Sequence, residues 1–398
     1  MLAMTGSLTL EDGAAINLKA ASGNPFKNLN KDDQFQIVST GTAITDNTTG
    51  GVPITGYSEL GASNYHFNLE LSSATQQNLL ARFKGGTLVA PVAKTYLEGS
   101  VAALGTLNLG AELENRVIRN TFDPYVNNGM FEDGYGLGIM FGAEYTNLRL
   151  NSGSHVDSDN FNVVIGPALR AESPIGKLGV GLFFEAGYGD YSTHTSFSSL
   201  NVISDGETKY YGGGIGLRND FSNGMYFDLS MRAGEVETDL KIKKRIGAKY
   251  DMSTNYFGGH FGLGKIFDFE DSGRLDINAR LLWTNLSGDD VWTDAEERLS
   301  IDDSRSLRTQ VGARYSRSFS DVISGYAGAA WEYESDGTIS GKLDGTRIDE
   351  PSTKGSTGIG ELGLSITPTQ CFSIDLGIQG YTGKREGAGG TAMMSFAF

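Results

Sequence analysis

From residue 134 to its last residue the chain alternates apolar and polar side chains with a period of two, and few folds accommodate that pattern over so long a stretch. In Leu275-Asp276-Ile277-Asn278-Ala279-Arg280-Leu281 the odd positions are apolar and the even ones polar, with Trp283 following on the apolar side. Met225, Phe227, Leu229 and Met231 flank Asp228, Ser230 and Arg232 in the same way. Successive side chains of a strand point to opposite faces, so each such segment has one oily and one wet side. The segments reach the roughly 9 to 11 residues with which a tilted strand crosses a bilayer. A soluble antiparallel sandwich alternates too, but its apolar face needs a second sheet to cover it. Twelve segments are centred near residues 142, 165, 183, 214, 230, 261, 280, 311, 328, 362, 376 and 394, an even number as in bacterial single-chain barrels. Short connections such as Pro174-Ile175-Gly176, Ser222-Asn223-Gly224 and Asp271-Ser272-Gly273 take turns with longer polar ones at 192–206, 240–253, 287–304 and 336–354. That rhythm is the one of periplasmic turns and extracellular loops. The sequence therefore predicts an all-β fold over residues 129–398, a twelve-stranded antiparallel transmembrane β-barrel in the outer membrane.

Glycine supplies 55 of the 398 residues against 8 prolines, and much of it lies on the wet face. With Tyr135, Leu137, Ile139, Phe141 and Tyr145 pointing outward, Gly134, Gly136, Gly138 and Gly142 point inward, and Gly179, Gly181, Gly212, Gly214 and Gly216 repeat the arrangement. Glycine weakens a strand unless something approaches its backbone closely or the sheet must bend, and both readings stay open here. Eight strands enclose only side chains and sixteen an aqueous channel, so a barrel of twelve has room for one helix about 10 to 12 Å across or for an extended chain. Gly136, Gly138, Gly181 and Gly214 are expected to line the lumen. Glu144, Glu185, Arg232, Arg280 and Arg314 share that face, where they either solvate a pore or grip whatever fills it.

Upstream the period changes. Over residues 94–118, Leu97, Val101, Leu104 and Leu107 recur at three- and four-residue spacing, and Pro124 stops any continuation, which predicts one helix within a linker region 91–128. Tyr96, Asn108 and Glu112 belong to the same helix. Gly99, Gly105 and Gly110 each weaken it by roughly 1 kcal/mol relative to alanine, so it needs surroundings to persist. Residues 1–90 carry short β-like runs, among them Gln34-Phe35-Gln36-Ile37-Val38 and Tyr65-His66-Phe67-Asn68-Leu69, separated by turn formers such as Ser22-Gly23-Asn24-Pro25. They suit either a small β domain or the end of a longer β-helix.

Several function classes fall away. A formal charge of −16 argues against a nucleic-acid partner, which needs a basic face. One cysteine, Cys371, permits no intrachain disulfide, and the four histidines, His66, His155, His194 and His260, have no paired ligand spacing, so neither a metal site nor any other cofactor is expected. Gly212-Gly213-Gly214-Ile215-Gly216 lacks the Lys-Ser/Thr ending of a phosphate loop, and Asp271-Ser272-Gly273 lacks a nucleophile elbow. The segment Met1-Leu2-Ala3-Met4-Thr5-Gly6 has neither a basic nor an apolar leader region, which leads us to expect further chain upstream in an exported protein.

The stretch Lys94-Thr95-Tyr96-Leu97-Glu98-Gly99-Ser100-Val101-Ala102-Ala103-Leu104-Gly105-Thr106-Leu107-Asn108-Leu109-Gly110-Ala111-Glu112-Leu113 resembles the pore helix ahead of the barrel in autotransporters of type V secretion. Phe183-Phe184-Glu185-Ala186-Gly187-Tyr188-Gly189 and Gly377-Ile378-Gln379-Gly380-Tyr381-Thr382-Gly383 are similar to the same family, and the likeness covers residues 94–398. It implies that the barrel inserts in outer-membrane lipid, that an upstream passenger crosses to the cell surface, and that the helix then occupies the pore. Residues 1–90 would be a passenger remnant outside the cell. In outer-membrane proteins a final strand such as Ala392-Met393-Met394-Ser395-Phe396-Ala397-Phe398 is the signal read by the barrel-assembly machinery, which implies that role for Met394, Phe396 and Phe398. Some relatives release the passenger by asparagine cyclisation, which draws notice to Asn108 and Asn115, but no flanking pattern singles either out and no enzymatic activity is expected. A general porin, a surface adhesin and a barrel protease remain the alternative readings.

Overall fold

The computed structural model describes residues 2–4, 6–19, 26, 29–49, 51–57, 62–72, 76–89, 91–123, 135–197, 200–243, 248–269 and 273–398. In chain order, strands β1 (Leu2–Met4), β2 (Thr9–Leu10), β3 (Ile16–Lys19), β4 (Gln34–Thr40), β5 (Thr45–Asp46), β6 (Ile54–Tyr57), β7 (Ser63–Leu71) and β8 (Asn78–Val89) precede helix α1 (Lys94–Phe122). The strands β9 (Tyr135–Asn151), β10 (His155–Ser173), β11 (Gly176–Phe197), β12 (Leu200–Asp220), β13 (Met225–Ile242), β14 (Lys249–Asp268) and β15 (Arg274–Leu286) follow. After β16 (Asp289–Trp292) and β17 (Arg298–Ile301) come β18 (Ser304–Ser318) and β19 (Ile323–Glu334), then β20 (Gly341–Leu343) and β21 (Thr346–Arg347), and finally β22 (Gly355–Thr369), β23 (Phe372–Gly383) and β24 (Arg385–Ala397).

Each of the twelve alternating segments is a barrel strand. Strands β9 to β15, β18, β19 and β22 to β24 pair antiparallel with their neighbours, and β24 pairs with β9 to close the sheet. Closure leaves no edge with unpaired amides facing hydrocarbon, where each such group costs several kcal/mol. No helix among the described residues is long and apolar enough to cross a membrane. The outward stripe is apolar and exposed, as at Leu137, Ile139, Phe161, Ile165, Leu182, Phe184, Ile277 and Leu281. Tyrosines mark its upper border. Tyr145, Tyr188 and Tyr211 each donate the hydroxyl to an acid, Asp159 at 2.8 Å, Asp190 at 2.6 Å and Glu235 at 2.5 Å. From Tyr135 to Tyr145, at about 3.3 Å per residue and a tilt near 40°, the wall climbs about 25 Å, the height of an apolar band between aromatic girdles.

Above that border the wall continues. Of the stretch 192–206, expected to be a loop, the described residues are strand, and those of 240–253 belong to β13 and β14 except Lys243 and Ala248. Alternation persists there with small polar outward residues, which the sequence reading took for loop chemistry. The connections at 287–304 and 336–354 do fold outside the wall, where β16, β17, β20 and β21 make a small sheet. Pro124, Gly134, the turn at residues 22–25 and Asp271-Ser272 lie outside the described residues.

Ahead of the helix, β1 pairs in parallel with β4, β2 with β5 and β3 with β6, at offsets of 36 (Leu2↔Val38, Thr9↔Thr45) and 38 residues (Ile16↔Ile54). Two turns of chain are thus stacked one on the other. The antiparallel hairpin of β7 and β8 joins the two longer faces through β6 and β4, over a core containing Ile54, Tyr65, Phe67, Leu79 and Phe83.

Candidate functional site: the filled lumen

Helix α1 runs through the barrel, and every one of its 29 residues is buried. At 1.5 Å per residue it is about 43 Å long, more than the roughly 30 Å of a hydrocarbon core. It extends four residues past the expected end and stops at Asp123, whose N–H donates to the Arg119 carbonyl. Its first turn lies at the long-loop end, where Lys94 Nζ donates to Ser154 Oγ at 3.0 Å. Its last turn lies at the short-turn end, where Arg170 donates to the Phe122 carbonyl at 2.7 Å and Arg274 grips Asp123 at 3.0 and 3.1 Å. A cation on the terminal carbonyls also suits the negative end of the helix dipole.

The helix's glycines explain how it fits. A Cβ on Gly99 would stand 2.6 Å from the Tyr250 hydroxyl, one on Gly105 2.5 Å from Leu150 Cδ1, and one on Gly110 closer still to the Tyr210 hydroxyl. Wall glycines answer from the other side: Gly142 receives Val117, Gly179 receives Phe122 and Gly216 receives Ile118. The glycines singled out from the sequence divide differently. Gly136 and Gly138 are buried on the inner face, but a Cβ on Gly138 would meet the Phe396 carbonyl of the neighbouring strand. Gly181 makes room for Met140 and Gly214 for Phe183, both wall residues. Room for the helix and close approach within the wall both operate, at different glycines.

Around the upper helix Tyr96, Leu97, Val101, Leu104 and Leu107 pack into an apolar cluster with Leu148, Leu150, Tyr191, Tyr250 and Leu299. Lower down the faces diverge. Leu113, Val117, Ile118 and Phe122 pack on Met140, Val164, Ala168 and Phe183, while the opposite face is charged. Glu112 pairs with Arg308 and, at 2.7 Å, with Arg385, and Arg116 pairs with Glu144. Wall arginines also reach the helix backbone: Arg232 donates to the Leu107 carbonyl at 3.1 Å and Arg308 to the Asn108 carbonyl at 3.2 Å. Arg232 is paired with Glu185 at 3.1 Å. Asn108 donates to Ser306 at 3.0 Å, and Asn115 to Asp228 at 3.2 Å beside His260. Arg314 forms a two-bond fork with Glu361 at 2.6 Å each, and with Arg280 it lines a polar cavity between this charged face and the far wall. So Glu144, Glu185 and Arg232 hold the helix or the groups beside it, whereas Arg280 and Arg314 border the cavity.

Sequence reasoning missed Glu297. This buried carboxylate of the β16–β17 connection accepts the Ala62 and Ser63 amides at 2.8 Å each and the Tyr96 hydroxyl at 2.9 Å. It ties the N-terminal unit, the helix and an outer loop together. Burial pushes its carboxyl above the ordinary value, against the lowering effect of those donors. No sequence pattern marks it, because its partners lie more than 200 residues away. His155 and His194, 39 positions apart, also meet, with rings stacked at 4.7 Å between centroids.

Residues 140–379 match the family described as autotransporter beta-domain. The fold is similar to the translocator domain of the autotransporter NalP from Neisseria meningitidis, with 14% identity, a TM-score of 0.55, and coverage of 75% of this chain and 99% of that one. It is also similar to the transport unit of AIDA-I from Escherichia coli, with 14% identity, a TM-score of 0.51, and coverage of 71% and 99%. No curated protein matches the chain in sequence.

Proposed function

Because the chain belongs to the autotransporter β-domain family, we propose that its structure is the state reached after export, with the helix left in the pore as a plug and residues 1–90 outside as the end of a β-helical passenger. As a member of that family it is an outer-membrane translocator that carries its own N-terminal passenger to the cell surface, and its β-domain is a transport barrel. The path of the chain carries the finer reading. Lys94 lies at the long-loop mouth and Phe122 at the short-turn mouth, so the helix end on the extracellular side is the N-terminal one. The stacked parallel turns of residues 2–57 support the β-helix assignment, since among the described residues β1, β2 and β3 each keep one unpaired edge on which a further turn can stack.

The outward Met394, Phe396 and Phe398 of the closing strand are the residues we assign to recognition by the barrel-assembly machinery. Their support is geometric: they alternate on the lipid face of the region that zips against β9, and the Phe398 amide donates to the Leu137 carbonyl at 2.9 Å. Deleting residues 94–122 is expected to raise single-channel conductance in planar bilayers several-fold, through removal of the lumen's contents. Unchanged conductance would sink the plug and favour another filling of the pore.

A further inference from the structure

We infer that His155, Asp157 and His194 form a binding site for a borderline divalent metal ion, zinc(II) foremost, on the outer wall of the barrel above the membrane. The antiparallel register of β10 and β11 puts His155 directly opposite His194. Asp157 stands two residues along β10, hence on the same face. The two imidazole Nε2 atoms each lie 3.8 Å from the same Asp157 Oδ2, and one ligand atom from each residue falls within 4.8 Å of the others. Zinc takes histidine nitrogen at about 2.0 to 2.1 Å and carboxylate oxygen at about 2.0 to 2.2 Å, so small side-chain rotations bring three donors onto one ion. Both histidines are about a third exposed, which leaves the rotations free and the site open to the medium.

The donor set selects the ion. Two imidazoles and one carboxylate favour zinc, copper(II) or nickel over calcium and magnesium, which prefer all-oxygen shells. Three protein ligands leave a coordination position for water or an incoming donor. The surroundings are acidic on balance: Asp159, Asp190, Asp205, Glu207 and Asp239 border the adjoining depression against Lys241 and Lys249, and such a field raises the local concentration of cations. Arg149 sits on the other side, forked onto Asp157 at 2.6 and 2.9 Å, where it orients the carboxylate and competes with the ion for it. The site lies six residues above Tyr145 along β9, since Asn151 pairs with His155, and so clears the bilayer.

Titrating the full chain in detergent micelles with Zn²⁺ by isothermal calorimetry is expected to give one saturable equivalent. Asp157→Asn should weaken it at least tenfold, and His155→Ala with His194→Ala should abolish it, while His66→Ala leaves it unchanged. Heat-modifiable migration of each variant shows that its barrel has formed. With Cu²⁺ as probe, the unaltered chain should give an electron paramagnetic resonance signal split by two nitrogens, a readout that needs no variant. Uptake that survives loss of both histidines, or a copper signal without nitrogen splitting, overturns the site.

Discussion

At the residue scale the lumen is held by contacts that tolerate little change in volume or charge. Gly110 faces Tyr210 and Gly216 receives Ile118, both without space for a methyl group. Gly110→Ala and Gly216→Ala are each expected to cost about 1 to 3 kcal/mol of overpacking, read as more frequent opening bursts in channel recordings. Ordinary helix propensity points the other way for Gly110→Ala, by roughly 1 kcal/mol in favour of alanine, so a quieter channel would show that tight docking is not what the glycine serves. The Arg116–Glu144 pair, 8% and 1% exposed, offers a second test. Removing one partner of a buried pair strands the other charge, at about 3 to 5 kcal/mol, whereas replacing both with apolar groups is often near neutral. Arg116→Met should therefore destabilise helix seating more than Arg116→Met combined with Glu144→Leu. Additive losses in protease resistance would mean that the two side chains do not depend on each other.

At the element scale, the helix and the strands shape one another. A helix with three glycines in its first seventeen residues is a poor helix by itself, and its stability comes from the wall around it. The sequence reading ended it near residue 118, with Pro124 barring any continuation, whereas Arg116, Arg119 and Asn120 occupy its last turns. Those residues stay helical because the lumen supplies partners such as Glu144 and Glu361 for them. The closing strand offers another prediction. Phe398→Ala is expected to lower the yield of inserted, heat-modifiable barrel while barrels that do insert still display a fused passenger. Normal insertion with lost display, judged by surface protease accessibility per inserted barrel, would assign the residue to transport instead.

At the scale of the whole molecule, two surroundings meet one wall. Leu281 lies on the lipid face opposite Phe261 on β14, near mid-height of the apolar band. Leu281→Arg is expected to cost roughly 2 to 4 kcal/mol in a lipid refolding assay, whereas arginine in place of the extracellular Ser192 should cost well under 1 kcal/mol; similar costs would refute the placement. Outside, Glu297 joins the N-terminal unit, helix and loop. Glu297→Ala should speed amide exchange at Ala62 and Ser63 at least tenfold, with Glu297→Gln intermediate because a carboxamide keeps one acceptor oxygen; exchange equal to the unaltered chain would show that the unit docks by other contacts.

Period-two alternation was enough for the sequence to determine the barrel, its twelve strands and their inward and outward faces, and three- and four-residue spacing the existence of the helix, because local chain geometry alone converts such patterns into faces. The wall's true height was not legible, since polar alternation above the membrane looks like loop when no lipid contrast marks it. Which glycines face the helix and which face a neighbouring strand depended on the stagger of the closed sheet, and no single segment encodes that. Glu297 found its partners only when the outer loop folded back over the mouth. His155 and His194 are equally distant from the Pro174-Ile175 turn, so a tight hairpin register would have paired them in advance. Asp157 completes the group only through the strand pleat, and the pairing of β10 with β11 is what brings three residues scattered in sequence onto one face.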